Sequence, residues 1–541
     1  MVPSKRSLRA LLAVVVLLSA GAVASSYATA QPNIAETQAA ADADPRSPPV
    51  STVESGSGSG TGPISGPDAG PETTPAGGDA TATTPGTAGP SLQVRANRTR
   101  LDPGDDVGNV TVVATQGFYV SDEQAELVAF SEAGEVLYYD DTYRVYFDVD
   151  PVPGERNTVE YVASRHMNGA DCASVDTERC TYNVFRRVNL TTGVDREVYG
   201  EVTPQIVSGR WHDIDRVNET HVAIADIVRD SVRIVDTRTN ETTWEWHANR
   251  TFDRSEGGQP GDWTHVNDVE VLADGRIMAS VRNMDQVIFI DPGEGVEANW
   301  TLGAEDDYSI LYEQHNPDYI PPSEGGPAIL VADSENSRVL EYRRVDPETG
   351  APTTGTDGEW RRVWGWRDSR VQWPRDADRL PGTTTLVTDT HGDRVAEVAP
   401  NGTVVWSVTV GMPYEAERLG TGDESTDGRS MAAIREANTT AGSGGPLSLV
   451  AWATGGDATR VVLAPDDGPV DFAWVTLKEV VPSLAVNGIL FAGPSWLRFH
   501  DVVFGGLALV AGLTWAGLEL RWAGLGLRRW TGRLRRRLDD V

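Results

Sequence analysis

The sequence predicts an all-β protein, a six-bladed β-propeller, and three observations carry that expectation. Four stretches open on nearly the same words: Trp211-His212-Asp213-Ile214-Asp215, Trp263-Thr264-His265-Val266-Asn267-Asp268, Gln314-His315-Asn316-Pro317-Asp318 and Trp373-Pro374-Arg375-Asp376-Ala377-Asp378. Their key residues His212, His265, His315 and Arg375 follow one another at steps of 53, 50 and 60 residues. Each phrase leads into short β-branched and aromatic runs cut by turns such as Ala273-Asp274-Gly275 and Asn401-Gly402, with no sustained helical periodicity.

Taken in order, residues 1–30 combine a basic start (Lys5, Arg6, Arg9), an apolar run from Ala10 to Val23 and Ala28-Thr29-Ala30, and read as a signal peptide or an N-terminal anchor. Residues 31–95 are Gly, Ser, Thr, Pro, Ala and acid, too poor in large apolar side chains to bury a core, and read as a disordered stalk. The propeller is expected over 96–475, with blades starting near Arg144, Trp211, Thr264, Gln314, Pro374 and Ser430. The Gly108–Asp140 segment holds only the later strands of a unit and would complete the last blade, closing the ring; standing alone it would make a seventh. A juxtamembrane segment, 476–501, is polar and broken. Residues 502–520 are apolar and close to bilayer-spanning length, and the arginine-rich tail 521–541 reads as cytoplasmic, leaving the propeller outside.

The charge of −33 is spread along the chain, and Lys5 and Lys478 are the only lysines. An even acidic coat built this way fits concentrated salt, where self-repulsion is screened. It excludes nucleic acid as a partner, since no basic stripe exists to neutralise phosphates. Asn97, Asn109, Asn189, Asn218, Asn240, Asn249, Asn299, Asn401 and Asn438 each stand two places before a threonine, as glycosylation candidates of an external glycoprotein should. Cys172 and Cys180 are the only cysteines and are expected to form a disulfide.

The first strand of a propeller blade lines the central channel, so residues at its start gather at one axial mouth. His212, His265, His315 and Arg375 are expected there, with Arg282 and His391 one strand later. Imidazoles and guanidinium groups together make an anion site, and a neutral imidazole in it is a nucleophile. At these residues the sequence resembles the arylsulfate sulfotransferase family, extracytoplasmic bacterial and archaeal propeller enzymes. The likeness is best over Trp263–Asp268, followed by Ser280-Val281-Arg282-Asn283, and the chain would be a salt-adapted, membrane-anchored member. The resemblance implies sulfuryl transfer between small phenolic sulfate esters and phenols, without a nucleotide donor or cofactor, through a transiently sulfated histidine. His315 would be the nucleophile, His212 and His265 the proton carriers, and Asn267 and Arg282 the holders of the sulfuryl oxygens; Arg375 and His391, placed by the repeat itself, would also face substrate, Arg375 standing where the family pattern has a histidine. Ala332-Asp333-Ser334-Glu335-Asn336 replaces the shorter Asp-Asn-Gly-like turn of the family pattern.

Two further readings of the same residues stand beside this one. A histidine at a blade start can brace neighbouring strands with the aspartates that follow it, which would leave a non-catalytic surface propeller binding a glycan or protein. Three histidines can also hold zinc, although no matching carboxylate spacing singles that out. Whether the side chains share one axial pocket decides between the enzyme and the binding module.

Overall fold

A computed structural model describes residues 4–42, 100–102, 104, 107–117, 125–205, 209–440, 462–463, 469–494 and 496–523. The stalk beyond residue 42, Asn97 and the basic tail beyond 523 lie outside the described residues. The strands form six sheets arranged as blades, and the seventh blade is absent among the described residues. Blade 1 holds Val145–Pro151, Thr158–Asn168, Arg179–Asn189 and Val194–Pro204; blade 2 holds Ile214–Asn218, His221–Asp226, Ser231–Asp236 and Glu241–His247. Blade 3 is built on Val266–Val271, Ile277–Val281 and Gln286–Asp291, blade 4 on His315–Ile320, Ala328–Asp333, Arg338–Val345 and Glu359–Arg367, and blade 5 on Pro374–Arg379, Thr385–Asp389, Arg394–Val398 and Val404–Thr409.

Blade 6 closes the ring. Its innermost strand Pro413–Arg418 pairs antiparallel with Thr111–Thr115, which continues into Leu127–Phe130 and Val136–Asp140. The N-terminal strands thus complete the last blade as expected, but that blade begins at Pro413 and not near Ser430. Residues after Ser430 form a helix, Met431–Thr440, instead. Ser430 Oγ accepts the backbone N–H of Ala433 at 3.2 Å, an N-terminal cap, and Met431 and Ile434 bury themselves in the core shared by blades 4 and 5.

Middle strands are buried on both faces because blades stack against one another, which is why Ile277-Met278-Ala279-Ser280-Val281 reads as a continuous apolar run. Outer-strand tryptophans tie a blade to the next: Trp244 Nε1 donates to Pro292 O at 2.9 Å, Trp366 Nε1 to Gly402 O at 3.1 Å and Trp406 Nε1 to Glu132 O at 2.7 Å. Innermost strands break the hydrophobic rule. Pro374-Arg375-Asp376-Ala377-Asp378-Arg379 is wholly buried though mostly charged, because it faces the channel.

A carboxylate from one blade accepts the innermost-strand N–H of the next. Asp148 takes Ile214 N at 3.0 Å, Asp213 takes Val269 N at 2.5 Å, Asp376 takes Ala416 N at 3.1 Å and Glu415 takes Val149 N at 3.0 Å. These acids do the bracing that could otherwise have fallen to the histidines beside them.

Cys172 and Cys180 are joined in a disulfide closing the loop between the second and third strands of blade 1. Asn109, Asn218, Asn240, Asn249 and Asn299 are exposed, whereas Asn189 and Asn401 are half-buried. The chain begins with helix α1 (Lys5–Asp42); after α2 (Met431–Thr440) come α3 (Pro469–Val480), α4 (Ser483–Ala492) and α5 (Phe499–Trp522). Lys5–Ala28 and Phe499–Trp522 are each long and apolar enough to cross a membrane, and α3 with α4, bent by 102°, pass the same test only as a pair. Helices α1 and α5 lie antiparallel: Arg9 pairs with Glu519 at one end, and the Tyr27 and Trp496 rings meet at 5.4 Å at the other.

Candidate active site

The bracing acids set a common register. Phe147, His212, Asn267, Arg375 and Tyr414 stand directly ahead of Asp148, Asp213, Asp268, Asp376 and Glu415, whereas His265 and His315 stand three places ahead of Asp268 and Asp318. The four similar phrases therefore deliver their basic residues from two registers. Bulges in the first strands of blades 3, 4 and 5 let both meet at one mouth. His265 also adopts φ 48°, a left-handed conformation that turns its ring toward blade 2. The rings of His212 and His265 lie 5.1 Å apart, His212 is 4.4 Å from Phe147 and 5.5 Å from Tyr414, and His315 is 6.1 Å from Tyr414. The Arg375 guanidinium lies 5.5 Å from the Tyr414 ring and 3.6 Å from that of Trp373.

The hydrogen bonds of His315 fix its tautomer. Nδ1 lies 3.0 Å from the Glu313 carbonyl, which can only accept, and 2.9 Å from Ser334 Oγ, whose own hydrogen goes to Pro374 O at 2.7 Å. Nδ1 must therefore carry the proton, leaving a lone pair on Nε2, which is buried without a hydrogen-bond partner. Burial pushes the pKa of His315 well below its ordinary value, and the neighbouring charges of Arg375 and Arg282 add to this. The ring is neutral at pH 7, and its bare nitrogen is buried with no partner on a neighbouring strand.

His265 is held on both sides. Its Nδ1 contacts Asp262 Oδ1 at 2.5 Å, and its Nε2 lies 3.1 Å from Arg282 Nη1, a donor. Burial first, and Arg282 second, lower its pKa to about 4, against the opposing pull of Asp262. Burial also holds His212 far below the usual range, and its Nδ1 has no partner. The Arg375 side chain is buried, with Nε and Nη1 unpartnered. His391 sits one ring further out, stacked on Trp373 at 4.5 Å. Asn267 is placed differently: fully buried, it donates Nδ2 to Gln314 O at 3.0 Å and so braces blade 3 against the strand that carries His315.

Tyr414 belongs to no repeated phrase, because the sixth blade begins at Pro413 and not near Ser430. Its hydroxyl is buried without a partner, and burial raises its pKa, so it stays protonated as a donor. Counting back from Glu415 in register with Asp376 would have found it. Beyond Arg282 opens a vestibule of ≈ 560 Å³, lined among others by Asp262, Glu313, Tyr308, Tyr312 and Leu484 of α4.

Among the described residues, the groups close enough to share a metal ion are carboxylates deeper in the channel and contain no histidine. One is Asp318, Asp376 and Asp378; another is Asp148, Asp150 and Glu415. The mouth itself gathers neutral imidazoles, two guanidinium groups and a phenolic donor, with Asp262 and Glu313 each 3.7 Å from Arg282 and with the bare nitrogens of His212 and His315 unpartnered.

The arylsulfotransferase (ASST) family model matches residues 213–319. That span carries His265, Asn267, Arg282 and His315, and the match supports the family and a sulfotransferase in general. No curated protein matches the chain. Among solved structures, the periplasmic gluconolactonase PpgL of Pseudomonas aeruginosa is similar at 14% identity, over 58% of this chain and 99% of that one, with a TM-score of 0.37. A putative 6-phosphogluconolactonase from Bacteroides uniformis is similar at 11% identity, over 57% and 98%, with a TM-score of 0.36. Virginiamycin B lyase from Staphylococcus aureus, in a catalytically inactive form, is similar at 8% identity, over 57% and 87%, with a TM-score of 0.32.

Proposed function

We propose that the protein transfers a sulfuryl group from an aryl sulfate to a phenol, without a nucleotide, through a sulfated His315. One observation carries this above the others: the buried, unprotonated Nε2 of His315 stands beside Arg375 in a mouth that also holds His212, His265 and Tyr414. A purely bracing role would have given that nitrogen a partner on a neighbouring strand.

In the first half-reaction the Nε2 lone pair attacks the sulfur and an N–S bond forms. The S–O bond to the phenol breaks, and its electron pair passes to the phenolic oxygen. The Glu313 carbonyl, bonded to Nδ1–H, stabilises the positive charge that the ring acquires. Arg375 and Arg282 offset the charge on the sulfuryl oxygens, and the Tyr414 hydroxyl donates to the departing oxygen. Neutral His212 relays the proton, giving one up as its other nitrogen takes one from solvent. In the second half-reaction an incoming phenol loses its proton by the same relay, its oxygen attacks sulfur, and the N–S pair returns to Nε2. Asn267 and His391 act here as supports, through Gln314 and Trp373 respectively.

The apolar terminal helices anchor the protein to a membrane in this reading. The arginine-rich tail favours a cytoplasmic C-terminus, and the exposed sequon asparagines favour an external, glycosylated propeller. The test is full-length protein incubated with 4-nitrophenyl sulfate in concentrated salt, quenched in base and digested, with sulfated peptides located by mass spectrometry. A sulfate on the His315 peptide that disappears when phenol is added is expected. Folded protein that gives neither sulfated peptide nor nitrophenol, or His315→Ala turning over like the wild type, overturns the assignment.

A further inference from the structure

The mouth of the propeller is covered by the segment that leads into the membrane. Asn487 of α4, 2% exposed, accepts from Gln372 Nε2 and donates Nδ2 to Glu335 Oε2 at 2.9 Å. The other Glu335 oxygen accepts Trp373 Nε1 at 2.9 Å, and Phe491 meets the Trp373 ring at 5.7 Å. Trp373 in turn packs on Arg375, and Leu484 from the first turn of α4 lines the vestibule with Arg282. Helix α4 therefore lies across the side of the mouth made by blades 4 and 5.

The same segment is tied to that rim on either side of α4. Arg367 Nη1 pairs with Glu479 at 2.6 Å, Lys478 Nζ donates to Val371 O at 2.6 Å, and Arg498 pairs with Asp393. One residue after Arg498 begins α5, apolar enough to cross a bilayer. Helices α3 and α4 pass the same test together, with a sharp bend between them, and Val470, Phe472, Val480, Leu484 and Ile489 project outward more than 45% exposed. These tethers hold the start of the apolar helix α5 beside the mouth, so a bilayer crossed by α5 would meet the propeller on that side, with the exposed apolar residues of α3–α4 towards it.

Building on the sulfuryl-transfer reading, we propose that the phenol or its sulfate ester is amphipathic. Its ring enters the vestibule beside Leu484 and Arg282 while an alkyl tail stays in the bilayer along α4. Each buried CH₂ raises partition into lipid roughly fourfold, so a long tail would concentrate the ring at the mouth, whereas a charged sulfate head keeps to the aqueous vestibule.

The test uses full-length protein in phosphatidylcholine vesicles with 4-nitrophenyl sulfate as donor, comparing 4-ethylphenol and 4-dodecylphenol as acceptors. A kcat/KM at least about 10-fold higher for 4-dodecylphenol is expected. Ile489→Asp, and separately Val480→Asp, should erase that preference while leaving 4-ethylphenol turnover unchanged, which also reports that each variant is folded. Equal use of both phenols, or a preference that survives both substitutions, overturns delivery from the bilayer and leaves sulfuryl transfer standing. Turnover of neither phenol by the wild type overturns the parent reading and this one with it.

Discussion

His315 donates its Nδ1 hydrogen to the backbone carbonyl of Glu313, two residues earlier, at 3.0 Å. Because a carbonyl cannot donate, the contact dictates which ring nitrogen is bare, and that nitrogen is buried and unpartnered. Glu313 itself has φ 45°, so a left-handed turn at the head of blade 4 aims its carbonyl at the ring. The tautomer of His315 is thus set by a backbone conformation.

Ser334 shares the Nδ1 hydrogen at 2.9 Å and anchors on Pro374 O. Ser334→Ala is expected to lower kcat by about 10- to 100-fold with little change in KM, since the ring loses orientation but substrate contacts remain. Ser334→Thr, which keeps the hydroxyl, should restore most of the rate. Steady-state kinetics on 4-nitrophenyl sulfate check both.

Tyr414 separates catalysis from stability. Its hydroxyl is buried and unpaired, so Tyr414→Phe should leave the melting temperature unchanged or raise it. The same substitution should lower kcat by about 10²-fold if the hydroxyl donates to the leaving oxygen. An undiminished kcat would remove Tyr414 from the mechanism.

Arg282 is the largest charge lowering the pKa of His265, while Asp262 raises it. In Arg282→Met the lowering charge is gone, so the pKa rises from about 4 and the ring takes up a proton at higher pH. The acid limb of kcat/KM should move upward in pH, and KM for the aryl sulfate should rise. Arg282→Lys keeps a positive charge and should hold the limb near its original position. A pH–rate profile of the three proteins distinguishes these outcomes.

The channel acids predict the pH dependence of stability. Burial, with repulsion from neighbouring carboxylates, raises Asp378, Glu415 and Glu417 well above the ordinary carboxylate range. The folded chain keeps protons that the unfolded chain releases above about pH 4. Their stabilisation is complete below that pH and is lost as pH rises through the folded values. The four buried histidines, lowered by burial, act oppositely below about pH 6.5, but the raised carboxylates outnumber them, Asp148, Asp150, Asp213, Asp215 and Asp268 being among them. Burial pushes Asp213 and Asp318 up to about 7 and Asp376 to about 8, so the melting temperature at constant ionic strength should fall as pH rises through these values, and Asp376→Asn should flatten that fall. Calorimetry across that range checks both.

The repeated phrases made the propeller legible because a blade is a local unit: its strands, turns and apolar runs lie within some fifty residues of one another. The closing blade was half legible. Its N-terminal strands stood out by lacking a partner, but Pro413–Arg418 carries two glutamates and two other polar or charged neighbours in a strand buried for the sake of the channel, so it did not read as a core strand. The segment Ala332–Asn336, a strand end followed by a tight turn that departs from the family pattern, supplies both Ser334 and Glu335.

The sequence by itself determined the blade period, the closure by N-terminal strands, the disulfide pairing and the residue types at the mouth. Those follow from local spacing and from how few partners each group had. Only the tertiary structure decided that side chains from two registers, His212, Arg375 and Tyr414 from one and His265 and His315 from the other, converge on one mouth, and that α4 lies over it. Each of these depends on bulges, left-handed turns and contacts between segments far apart in the chain, such as Asn487 with Glu335, 152 residues away, and periodicity along a chain carries no information about them.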